Sequence, residues 1–208
     1  MISGCAANSL QCARPRRAAG SRRVHLSQLM ALVVAWLAMG ASCLHAQQSS
    51  PTENQVKSAY LYNFGKFVEW PAKGVTGGEF FTFCVLGDDS FSSTLETTIA
   101  GESINGKKVL AKRVAKPQDA VSCRILFISS SEQSRLKEIV AALEDTSVLT
   151  VSDMPQFTRR GGMIQFVVEA NRVRFEVNLT NAERAGLTLS SQLLKVAIDV
   201  KRSAQPGS

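Results

Sequence analysis

Apolar residues at Val56, Ala59, Tyr60, Phe64 and Phe67 recur at helical spacing, and Pro71 closes the segment, so the pattern predicts a first helix with Tyr60, Phe64 and Phe67 as its core stripe. Three unbroken apolar runs follow: "FFTFCVLG" (80–87), "RILFIS" (124–129) and "SVLTVS" (147–152). Runs that are apolar on both faces suit strands covered from both sides, as in a parallel sheet. "KKVLAKRV" (107–114) is a more polar strand, expected nearer an edge. Between these strands the pattern predicts one helix over "SFSSTLETTIAG" (90–101). A second carries the stripe Leu136, Ile139, Val140 and Leu143, with Ser130 and Gln133 as its capping box.

Residues 163–178, "MIQFVVEANRVRFEVN", change to strict alternation, which predicts two strands meeting at Ala170-Asn171 in a β-hairpin. Thr180 and Glu183 form a second capping box, and one helix is expected from there to Lys201. It would carry two apolar stripes, Leu187, Leu194 and Ile198 on one and Leu189, Leu193, Val196 and Val200 on the other, where a surface helix needs only one. The fold class is therefore α/β: a three-layer sandwich with a mostly parallel central sheet, a C-terminal β-hairpin and terminal helices.

The first 46 of the 208 residues stand apart from this pattern. Arg14, Arg16, Arg17, Arg22 and Arg23 precede the short apolar run "LMALVVAWLAMG" and a small, polar stretch, the order of a secretory signal cleaved near Ala46. An uncleaved anchor over Leu26–Leu44 is the alternative. Residues 47–54 read as a flexible arm, 55–202 as a single domain and 203–208 as a disordered tail.

Charge looks different once the leader is set aside. Its five arginines leave 19 Lys and Arg against 17 Asp and Glu, so the basicity of the whole chain gives no ground for nucleic-acid binding. Both histidines, His25 and His45, lie in the leader as well. The mature domain therefore has no imidazole for a general base, a nucleophile pair or a zinc site. Two of the five cysteines remain, Cys84 and Cys123. In an exported protein they most simply form one disulfide, the alternative being a redox-active pair.

Candidate chemistry is sparse. Asp88 and Asp89 follow the first long strand and Asp153 follows the third, at the strand ends where open α/β sheets bind ligands. Turn formation and helix capping explain the same residues. No glycine-rich nucleotide motif is present, and no cofactor is expected. Arg159 and Arg160 before Gly161-Gly162 read as a solvated turn, with an anion site as the alternative. In the hairpin, Glu176 shares a face with Arg174 and Asn178. It reads either as the solvated side of an edge strand or as the charged spot of a partner-binding surface whose apolar part is Ile164, Phe166 and Met163. Leu61, Tyr62 and Trp70 lie off the expected stripe of the first helix, where they suit a dimer or partner surface.

The succession "VKSAYLYNFGKFVEWP", "FCVLGDDSF", "CRILFIS", "VLTVSDMPQF", "GGMIQFVVEANRVRFEVN" and "AGLTLSSQLLKVA" resembles the YfiR family of exported regulatory proteins, from about Gln55 to Val200. The resemblance implies a periplasmic, non-enzymatic repressor of a membrane-bound diguanylate cyclase. It would engage the cyclase's periplasmic sensor domain and so lower cyclic di-GMP and biofilm formation. It also implies a homodimer and a redox link through disulfides, although this chain has only the Cys84/Cys123 pair of the two that some relatives carry. A small-ligand-binding module serving another membrane receptor is the alternative function.

Overall fold

The computed structural model describes residues 50–72, 79–87 and 90–202. The expected leader, residues 47–49 of the arm, the tail, and Asp88 with Asp89 lie outside these.

Helix α1 spans Glu53–Phe67 and begins within the segment expected to be a flexible arm. Its start is fixed by a reciprocal capping box: Gln55 N donates to Thr52 Oγ1 at 3.3 Å, and Thr52 N donates to Gln55 Oε1 at 2.7 Å. The buried face also departs from the expected stripe. Lys57, Ser58, Leu61, Phe64 and Gly65 face inward, while Phe67 is 37% exposed. Small and polar positions let the helix lie close to the sheet, so size at Gly65 outranks hydrophobicity at Phe67. A Cβ on Gly65 would stand 2.6 Å from Ile104 Cδ1.

The chain continues through β1 (Val68–Glu69), β2 (Phe80–Leu86), α2 (Phe91–Ile99), β3 (Ser103–Ile104) and β4 (Lys107–Val114). A 3-10 turn over Pro117–Ser122 leads to β5 (Ile125–Ile128), and a second over Ser130–Arg135 leads to α3 (Leu136–Ala142) and β6 (Leu149–Ser152). After a third 3-10 turn at Phe157–Arg160 come β7 (Ile164–Glu169) and β8 (Arg172–Asn178). The chain then forms α4 (Leu179–Arg184), β9 (Thr188–Leu189), α5 (Ser191–Val196) and β10 (Asp199–Lys201).

Among the described residues, eight strands form one sheet in the order β10-β8-β7-β6-β5-β2-β4-β3, and β1 pairs with β9 in a separate antiparallel ladder. The five central strands, β7 through β4, run parallel, and β2, β5 and β6 among them are the double-sided apolar runs that such a sheet covers on both faces. β4 lies next to the edge strand β3, in keeping with its polar sequence. The hairpin turns at Ala170 and Asn171, both left-handed (φ 47° and 60°), as the favoured two-residue turn demands.

Alternation along the strands sends side chains into two cores. Phe81, Phe83, Val85, Ile125, Phe127, Leu149, Val151, Ile164, Phe166 and Phe175 join α1 and α2 on one face. Cys84, Leu86, Leu126 and Ile128 join α3 on the other. Three layers result. Cys84 and Cys123 are joined by a disulfide within the second core, with Cα atoms 6.0 Å apart.

The C-terminal region departs most from expectation. The single helix to Lys201 is replaced by a helix, a strand, a second helix and a parallel edge strand. Gly186 takes a left-handed conformation (φ 75°) that ends α4, and Ser190 Oγ accepts from Leu193 N at 3.2 Å to start α5. The two stripes are thus not helical faces: Leu187, Leu189 and Leu193 reach the core, Val200 pairs with Val177 in the sheet, and Val196 is exposed. Both expected capping boxes shift as well. Asn178 caps α4 by accepting from Asn181 N at 3.1 Å, and Ser129 caps the turn before α3.

Candidate functional site at the carboxyl edge of the sheet

After β2 the chain turns onto one face of the sheet as α2, and after β5 it turns onto the other as α3. β2 and β5 are neighbours, so their carboxyl ends form the topological switch point at which open α/β sheets leave a crevice. Gly87 makes the turn out of β2 at φ 97°, and a Cβ there would meet Ser131 Oγ at 2.6 Å. The resulting open cleft of about 570 Å³ is bounded by Thr52, Glu53, Lys57, Ser90, Ser129 and Asp153.

Lys57 dominates this cleft electrostatically. It is 5% exposed, and its Nζ stands 2.6 Å from both Asp153 Oδ2 and Glu53 Oε1. Burial opposes its charge, but the hydrogen bonds to Asp153 and Glu53 outweigh that cost and raise its pKa above the ordinary lysine value. A lysine held so firmly protonated is a fixed cation, not a base or nucleophile. Asp153 Oδ1 is buried without a partner, so the carboxylate is only half satisfied. The expected place for strand-end carboxylates thus holds Asp153. Its partner Lys57 was missed in the sequence, where it interrupts the apolar pattern four residues before Leu61 and seven before Phe64.

Glu176 belongs to a different region, on the face of β8 opposite Phe175. Lys201 Nζ donates to Glu176 Oε2 at 2.7 Å and to Thr158 Oγ1 at 2.8 Å, and Thr158 Oγ1 donates to Glu176 at 3.2 Å. The Lys201 hydrogen bond, with lesser help from Thr158 and Arg159, holds the Glu176 carboxyl below its ordinary pKa against the effect of burial. β10 thus covers the strand expected to be an edge.

The apolar companions expected for Glu176 are elsewhere. Ile164 pairs with Val177 and Phe166 with Phe175, so both point into the first core, at 0% and 2% exposure. Period-two alternation places Gln165, not Ile164 or Phe166, on the Glu176 face. Leu61 is also corrected: it is fully buried and belongs to the core of the domain.

Tyr62 and Trp70 are half-buried. Tyr62 OH donates to Glu102 Oε2 at 2.6 Å, which raises the phenol's pKa, and Lys66 Nζ lies 5.1 Å from the ring centre. Trp70 meets Phe81 edge-on at 5.3 Å and carries the Arg124 guanidinium 5.8 Å from its ring centre. Its Nε1 is buried without a partner.

The architecture is that of a three-layer α/β domain with a strand-end cleft and no nucleophile paired to a base among the described residues. The chain belongs to the YfiR/HmsC-like family, whose model matches residues 54–198. That family is one of periplasmic, non-catalytic regulatory proteins linked to diguanylate cyclases. No helix among the described residues is long and apolar enough to cross a membrane. Among solved structures, a conserved domain protein from Vibrio cholerae O1 biovar El Tor aligns with a TM-score of 0.54 at 12% identity, over 74% of this chain and 62% of that one. The chain thus spans less than two thirds of that protein, and the likeness is one of fold. The ABC domain from Streptococcus pneumonia, solved in complex with L-Trp, aligns with a TM-score of only 0.43 at 14% identity, over 58% of this chain and 55% of that one. No curated protein matches the sequence.

Proposed function

We propose that this protein, exported by a cleaved signal near Ala46, holds a membrane-bound diguanylate cyclase inactive by contact with the cyclase's periplasmic domain. Release of that contact raises cyclic di-GMP and promotes biofilm formation. One observation carries the reading: the YfiR/HmsC-like match runs through nearly the whole folded domain, from the first turn of α1 to the residue before β10. The chemistry of the cleft supports it. Lys57 is neutralised by two carboxylates and offers anchoring and not catalysis.

The partner surface is proposed to include the half-exposed Tyr62 and Trp70, with self-association into a homodimer through the same rings, since aromatics concentrate at the centres of interfaces. Glu176, tied to Lys201, is proposed as a rigid polar element at the far edge and not as an isolated charge. The decisive experiment is deletion of the gene. Cyclic di-GMP should rise and return to its former level on complementation; an unchanged level in the deletion strain overturns the proposal.

A further inference from the structure

A second cavity lies at the opposite, amino-terminal edge of β6 and β7, between α3, the Gly161-Gly162 turn and α4, with a volume of about 320 Å³. That is the small end of the range for ligand cavities, roughly 300–1,000 Å³. Val140, Leu143 and Met163 provide apolar wall. Lys137, Arg160 and Arg184 converge on the same space, and Glu144 is the only carboxylate in its lining. Among the described residues none of the three cations takes part in an ion pair, whereas Lys57, Arg135 and Lys201 all do.

The cavity is built and not incidental. Gly161 sits at φ 105°, and a Cβ there would stand 2.8 Å from Val140 Cγ1; one on Gly162 would stand 2.1 Å from the Phe157 ring. The turn presses against α3 because residue 161 is glycine, and it closes over its own Phe157 ring because residue 162 is glycine. Asn181 Nδ2 donates to Gly161 O at 2.9 Å, tying the turn to α4. Arg160 Nη2 donates to Gln133 O at 3.1 Å, which ties the guanidinium to the 3-10 turn that leads into α3.

Three cations without carboxylate partners around an apolar hollow define a ligand with both an anionic group and an apolar body. We propose that this cavity binds a small amphipathic organic anion, an aryl or branched-chain monocarboxylate, with its carboxylate between Lys137, Arg160 and Arg184 and its apolar body against Val140, Leu143 and Met163. The site stands on its own geometry, independent of the cyclase reading.

The test titrates the intact exported protein with phenylacetate, with phenylacetamide as the uncharged isostere and with acetate as the charge without the body. Amide NMR shifts of Gly161, Asn181 and Ala185 provide the readout. Phenylacetate should shift these amides saturably, and each of the other two compounds should bind about tenfold more weakly or worse. The double variant Lys137→Gln/Arg184→Gln should weaken phenylacetate at least about tenfold while its thermal unfolding stays that of the parent. Equal binding of the acid and the amide, equal binding of acetate, undiminished binding to the double variant, or no saturable shift each overturns the proposal. If the double variant is unstable, Ala141→Trp, which fills the rim from the exposed side of α3, must block phenylacetate instead; retained binding there also overturns it.

Discussion

Lys57 on the first helix and Asp153 after the sixth strand, 96 residues apart in sequence, meet at 2.6 Å across the carboxyl edge of the sheet. Lys57 is almost wholly buried, while Asp153 keeps about a quarter of its side-chain surface. The pair ties α1 to the sheet at the switch point. Asp153→Asn removes the charge on one side and leaves Glu53, itself half exposed, as the remaining partner. It should cost about 1–3 kcal/mol, measured by urea unfolding. An unchanged unfolding midpoint would show that the pair does not hold the helix.

The Glu176–Lys201 pair predicts a pH dependence of definite sign. Glu176 titrates lower in the folded chain than its unfolded value of about 4.3, because Lys201 donates to it. The stability it contributes is therefore present above about pH 4.3 and disappears as pH falls through the lower folded value. Glu176→Gln should lose about 1–2 kcal/mol at neutral pH and show a shallower loss of stability on acidification than the parent. Parallel acid profiles for the two proteins would contradict the assignment.

Closing a loop of 39 residues with the Cys84–Cys123 disulfide should contribute about 4 kcal/mol in the chain-entropy model. Cys84→Ser, or reduction of the parent, should lower stability by roughly 2–5 kcal/mol. Calorimetry with and without reductant, together with mass analysis for free thiols, measures both. Two free thiols in the protein isolated without reductant would remove the staple from the account.

Neighbouring positions on α1 should behave oppositely. Leu61→Ala opens a cavity in the first core and should cost about 2–5 kcal/mol. Tyr62→Ala loses the exposed hydrogen bonds of the hydroxyl to Glu102 and Ser103 O and should cost about 1 kcal/mol, while weakening self-association in sedimentation experiments. If Tyr62→Ala sediments like the parent, the ring does not contribute to a dimer interface.

Gly162→Ala tests packing in the turn under β7. The added methyl falls 2.1 Å from the ring of Phe157, which is fully buried. A loss of about 1–3 kcal/mol in thermal or urea unfolding is expected from overpacking.

Wherever one kind of local pattern dominates, the sequence by itself determined the element. The double-sided apolar runs became central parallel strands, "KKVLAKRV" took its place beside the edge, and Ala170-Asn171 turned the hairpin. The disulfide partners and the family were legible for a similar reason: two cysteines remain once the expected leader is set aside, and the motif blocks occur in a fixed order. These features depend on residues close in sequence or on simple elimination.

Tertiary structure alone decided which faces are buried and which distant groups meet. Leu61 displaced Phe67 from the core because Gly65 lets α1 approach Ile104 closely, a fit that hydrophobicity does not encode. Ile164 and Phe166 left the expected partner surface because pairing with β8 turned them inward. The C-terminal apolar residues divided between core and sheet edge because Gly186 and Ser190 broke the helix. Lys57 met Asp153, and Lys201 met Glu176, only after the strands had been ordered. A side chain's periodicity is set by its near neighbours, but its burial and its ion-pair partner are set by whatever the fold brings against it.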